Sequence, residues 1–74
     1  MSDFNYDSLT DQEKEVYDNA FNWGWSSYAE NFNNIEKKPY TRINTETLFW
    51  SLQPIFDIGY ENGFESCKNF ISKS

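Results

Sequence analysis

Residues 17 to 25 read YDNAFNWGW, and 39 positions further on residues 56 to 64 read FDIGYENGF. Laid over each other, the stretches pair Tyr17 with Phe56, Asp18 with Asp57, Ala20 with Gly59, Phe21 with Tyr60, Gly24 with Gly63 and Trp25 with Phe64. Each copy sets two small residues four apart beside large rings, a spacing that places them on one face of a helix. Glycine inside a helix costs about 0.5–1 kcal/mol relative to alanine, so Gly24, Gly59 and Gly63 need a compensating gain. Close approach of two helices supplies one. We therefore expect Ala20, Gly24, Gly59 and Gly63 to be helix-packing positions, with the notch of one helix receiving the rings of the other in an antiparallel hairpin. The competing use of the notches is to receive a partner's side chains.

Local signals fix where the helices fall. Thr10 followed by Glu13 is a capping-box pattern, and Asp11, Glu13 and Glu15 lie in the first turns, where carboxylates favour the helix dipole. This predicts a long helix over 11–32 with Tyr17, Phe21, Gly24, Trp25, Tyr28 and Phe32 on one side, preceded by a tail over 1–9. The stretch NNIEKKPYTRIN lacks apolar periodicity and predicts a loop over 33–44. Asn44 or Thr45 is placed to cap a short helix over 45–53 carrying Leu48, Phe49 and Leu52. Pro54 removes a helical hydrogen bond and costs about 3 kcal/mol inside a helix, so a break or kink is expected there. A second long helix then runs over 54–71, with Phe56, Tyr60, Gly63, Phe64, Cys67 and Ile71 inward and Asp57, Glu61 and Glu65 opposite. The predicted fold class is all-α: one small domain, built as a helical hairpin or as three helices.

A chain of 74 residues buries only about 60% of its unfolded surface, so it needs dense stabilisation. With Cys67 as the only cysteine and no histidine, neither a disulfide nor a structural zinc supplies it. Aromatic residues make up 20% of the chain, and rings burying roughly 150–250 Å² each do; self-association as a homodimer is the other route. The opening MSDFNYDSLT has no basic and apolar signal pattern, and no run reaches the roughly 20 apolar residues of a membrane span. A lone thiol fits a reducing compartment, so the expected location is cytoplasmic.

The net charge of −6 is unevenly placed. Residues 1 to 36 carry Asp3, Asp7, Asp11, Glu13, Glu15, Asp18, Glu30 and Glu36 against Lys14 alone, whereas residues 37 to 74 are nearly balanced. Such a field repels phosphate and attracts basic surfaces, which argues against direct nucleic-acid binding and for a larger basic protein as partner. The other role of the charge is to keep an aromatic-rich chain soluble.

Catalytic chemistry finds little to work with. No histidine is present to act as a general base or to activate a nucleophile, and Cys67 sits on the apolar stripe. The glycines lie inside helical patterns rather than in a phosphate loop, and the acids lack calcium-loop spacing. The expectation is a non-enzymatic protein without cofactor or metal. The candidate partner-binding residues are Asp7, Asp11, Glu15 and Asp18 along one flank, with Trp23 and Tyr28 adding apolar contact. Trp23 is either an exposed anchor or packed, against Leu48 to Leu52 or against Phe4 and Tyr6. A second patch, Lys37, Lys38, Tyr40 and Arg42, is basic with an aromatic beside it and reads chiefly as a solvated loop, with an RNA-facing module as its functional alternative.

Ala20, Gly24-Trp25, Pro39-Tyr40, Trp50 and Gly59-Tyr60, in that order, resemble the pattern of the ribosome modulation factor family and its short relatives. The resemblance spans about residues 17 to 64 and implies a two-helix fold, with a ribosome- or RNA-associated helical adaptor as the function. That family is strongly basic because it binds ribosomal RNA, and the acidity of this chain points elsewhere. In size, acidity and aromatic content the chain is similar, at the level of class, to phage-encoded inhibitors of host or defence enzymes, including anti-CRISPR and DNA-mimic antirestriction proteins. That similarity implies a nucleic-acid-handling enzyme as target, with carboxylates standing in for phosphates.

Overall fold

The computed structural model describes residues 5 to 73, and within them the chain is all-α. A single 3-10 turn at Tyr6–Ser8 precedes helix α1, Asp11–Ala29; a second 3-10 turn at Thr45–Thr47 precedes helix α2, Gln53–Lys73. Helix α1 starts where the capping box places it. The Thr10 hydroxyl accepts from the Glu13 N–H at 3.2 Å, and the Glu13 carboxylate accepts from the Thr10 N–H at 2.8 Å.

Two elements depart from the sequence expectation. Helix α1 stops at Ala29 rather than at residue 32. There the bonds tighten to Asn31 N–H on the Tyr28 carbonyl and Phe32 N–H on the Ala29 carbonyl, and the Asn31 side chain donates to Tyr28 as well; such local amide bonds compete with helix continuation. Phe32 still meets the Tyr28 ring, at 5.6 Å between centroids. The helix expected over 45–53 is instead the one 3-10 turn at Thr45–Thr47, capped by Asn44 and ended by Leu48 in an extended conformation. Branched Thr45 and Thr47 favour extended backbone over helix. Pro54 has no helix before it to break and stands where a second long helix beginning near residue 54 would put it. It is the second residue of α2, in the first turn, where a backbone N–H has no helical partner to lose.

The two long helices pair over their length, but in the same direction, which corrects the antiparallel expectation. Contacts advance together along both: the Tyr17 carbonyl lies against Gly59, the Phe21 carbonyl against Gly63, and the Tyr28 ring meets Phe64. The connection makes this parallel arrangement accessible. Residues 36 to 41 run back along α1, with the Glu36 carbonyl on the Trp25 indole, Lys38 on Ser26 and Thr41 on Asn19. Helix α1 spans about 28 Å at 1.5 Å per residue. An extended segment at about 3.3 Å per residue retraces that in fewer residues than the loop contains.

The small residues form the seam. A Cβ on Gly24 would collide with the Tyr60 carbonyl, and one on Gly63 with the Phe21 carbonyl. One on Gly59 would sit 2.7 Å from the Tyr17 carbonyl and 3.1 Å from the Ala20 Cβ. The 39-residue repeat is the mean register of the seam: Ala20 meets Gly59 at that offset, while Gly24 meets Tyr60 three residues short of it and Phe21 meets Gly63 three residues beyond it. Ala20, Gly24, Gly59 and Gly63 are all buried there, so each notch is filled by the facing backbone of the same chain and takes no partner side chain. Ala29, Leu52, Phe56 and Cys67, with the polar Ser26, complete the buried set among the described residues.

Candidate partner-binding surface

Asp11, Glu15 and Asp18, spaced four and three apart on α1, are exposed, as is Asp7 in the preceding turn. The structure thus brings all four to the surface on the N-terminal part of the chain. They are not equivalent. The Tyr6 hydroxyl donates to both carboxylate oxygens of Asp18 at 3.1 Å, which ties the segment before α1 to its flank. The Tyr6 ring also meets Tyr17 edge-on at 5.3 Å. Burial, reinforced by the hydrogen bond and charge of Asp18, holds the Tyr6 phenol above its usual pKa. Tyr6, Tyr17, Asp18, Phe21 and Asn22 line an open groove of about 490 Å³, so an acidic group borders an aromatic floor. Lys14, the one cation of this half, has its ammonium 5.5 Å from the centre of the Tyr6 ring.

The two aromatic candidates lie elsewhere. Trp23 is half-buried, stacked on Tyr40 at 5.3 Å with Phe56 at 5.6 Å and Tyr60 at 6.2 Å edge-on. It is a packed residue whose neighbours are the return strand and α2. Phe4, the other ring considered as its neighbour, lies outside the described residues. Tyr28 is likewise half-buried, edge-on to Phe64 at 4.8 Å. Both side chains join α1 to α2, and Trp23 also to the returning segment, rather than to the acidic flank.

The basic loop is also divided by packing. Tyr40 is spent on Trp23, and the Lys38 ammonium stands 4.7 Å from the Trp25 ring centre. The Lys38 backbone is held at both of its polar groups by Ser26, whose hydroxyl donates to the Lys38 carbonyl at 2.7 Å and accepts from the Lys38 N–H at 2.9 Å. Lys37 and Arg42 remain exposed. Beneath this strand Cys67 is fully buried; desolvation pushes its thiol pKa up, and Lys38 opposes the shift.

Sequence reading placed Phe49 on a short helix and did not single out Trp50 as a surface residue. Once that helix is replaced by a turn, Phe49 is 72% exposed and Trp50 82% exposed, side by side just before α2. The threonines of TET were the available signal against a helix there.

Among the described residues no group of three or more histidine, cysteine, aspartate or glutamate side chains is arranged to hold a metal ion. Nor is any described helix long and apolar enough to cross a membrane. Comparison with protein-family models, with curated proteins and with solved structures gave no match.

Proposed function

We propose that this is a small acidic binding protein that modulates a larger protein by covering a basic surface on it, in the manner of phage-encoded inhibitors of nucleic-acid-handling enzymes. The observation that carries the reading is the exposed flank of Asp7, Asp11, Glu15 and Asp18 in a half of the chain whose sole cation is Lys14. Fixed on a helix, three of these carboxylates present a rigid line of negative charge, which steers a basic partner and disfavours an acidic one. The groove at Tyr6, Tyr17 and Phe21 gives that line an aromatic border, able to hold the stem of an arginine or lysine.

The test is affinity capture from a bacterial lysate with the tagged protein, with nuclease present, at low and high salt. A basic nucleic-acid-handling enzyme should be retained at low salt and released at high salt, and the D7N/D11N/E15Q/D18N variant should fail to retain it. Retention that is indifferent to salt and to those four changes would refute the reading. Recovery of ribosomal proteins that vanish with nuclease would favour a ribosome-associated adaptor instead.

A further inference from the structure

The most exposed large apolar side chains described are adjacent, Phe49 and Trp50, on the turn that leads into α2. Exposed Trp beside another ring is unusual on a surface this polar, and tryptophan is the side chain most enriched at binding hot spots. Thr45, from the 3-10 turn just before, and Phe56, Asp57, Tyr60, Glu61 and Phe64, from α2, line one open groove of about 660 Å³. Its floor is aromatic. Its charged members are the exposed carboxylates of Asp57 and Glu61, one helical turn apart, and its lining contains no cation.

We propose that the groove on α2, extended by the Phe49–Trp50 turn that leads into that helix, docks a segment of a partner protein that carries an arginine or lysine next to a large apolar side chain. The charge decides the occupant. A cation entering between Asp57 and Glu61 gains two carboxylates and lays its aliphatic stem over Tyr60 and Phe64, where the ring faces favour positive charge. An acidic segment meets only repulsion. Trp50, which spends little of its surface inside the fold, contributes contact area to the apolar neighbour. The proposal rests on the reading of this protein as a binder of basic partners, but its residues are separate from the flank on α1.

The experiment is selection of a random-peptide display library on the immobilised protein, with W50A and D57N/E61Q as counter-baits and the D7N/D11N/E15Q/D18N variant as a parallel bait. Trp50, Asp57 and Glu61 are exposed, so these variants keep the fold, which circular dichroism checks. Selected peptides should combine a basic with a large apolar residue. They should bind at least tenfold more weakly to both counter-baits and equally well to the α1 variant. Peptides that depend on the α1 carboxylates and not on Trp50 would overturn this docking face while supporting the proposed function. Failure to enrich any peptide on the wild type over W50A would overturn it too, as would a concentration-dependent dimer in sedimentation that W50A abolishes, since a second copy would then cover the face.

Discussion

The main-chain carbonyl of Tyr60 fills the space a Cβ on Gly24 would need, and the Phe21 carbonyl does the same to Gly63. Under the 39-residue repeat Phe21 corresponds to Tyr60 and Gly24 to Gly63, so the two contacts are one contact made twice with its partners exchanged. The two helices are thus related as two copies in a parallel, two-fold pair, folded into one chain by the strand that retraces α1. Backbone meeting backbone at a glycine leaves little slack, because close-packed interiors yield little to added volume.

G24A and G63A should therefore each destabilise the fold. Alanine gains about 1 kcal/mol of helix propensity over glycine, but a Cβ aimed into a facing carbonyl forces the helices apart, at a cost of typically about 1–3 kcal/mol and more where the backbone cannot shift. The net expectation is a lower melting temperature by circular dichroism, by about 4–8 °C per kcal/mol for a domain of this size. A rise in melting temperature would mean the helices are not in contact at these carbonyls.

The return strand should unpin locally when its bonds are cut. Ser26 is 1% exposed and satisfies both polar groups of Lys38, while the Asn19 amide does the same for Thr41 at 2.8 and 2.7 Å. S26A should cost about 1–3 kcal/mol, because it leaves part-buried polar groups unpaired. In hydrogen exchange it should speed the Lys38 amide more than Thr41, and N19A should do the reverse. Equal acceleration at both amides in either variant would show that the strand detaches as a unit.

Trp23 and Trp50 should behave oppositely. W23A removes the centre of the Tyr40, Phe56 and Tyr60 cluster and should cost about 3 kcal/mol, whereas W50A should change stability by no more than about 0.5 kcal/mol. In acrylamide quenching of intrinsic fluorescence, W50F should remove the most quenchable component. A W23F variant that removed it instead would contradict the packing.

Alkaline pH should weaken the fold. Burial raises the pKa of Cys67, and burial with the Asp18 contact raises that of Tyr6. Each is a group whose folded value lies above its unfolded one. The stability they contribute is complete below the unfolded values, about 8.5 for a thiol and about 10 for a phenol. It is lost as pH rises through the folded values, because the unfolded chain releases the protons first. Urea titrations should give constant stability from neutral pH to about 8.5 and a decline above it, with C67A removing the earlier part and Y6F the later part. Stability that rises with pH over this range would reverse the sign and exclude both assignments.

Local rules were sufficient for much of this protein. The capping box at Thr10 and Glu13 set the start of α1, because the residues that satisfy the free N–H groups are adjacent in the chain. The four-residue spacing of Ala20 and Gly24, and of Gly59 and Gly63, marked the packing seam before any coordinates, because an unrewarded helical glycine is costly. The acidic flank was likewise legible, since Asp11, Glu15 and Asp18 fall side by side, next to the apolar stripe, on a helix of known pitch. What tertiary structure decided was everything that depends on partners distant in sequence. The parallel sense of α1 and α2 follows from the strand at 36 to 41 finding Trp25, Ser26 and Asn19, and periodicity carries no information about direction. The half-burial of Trp23 follows from Tyr40 on that segment and from Phe56 and Tyr60 on α2. The exposure of Phe49 and Trp50 follows from a turn where an apolar run suggested a helix, because a ring is buried only if another element arrives to cover it.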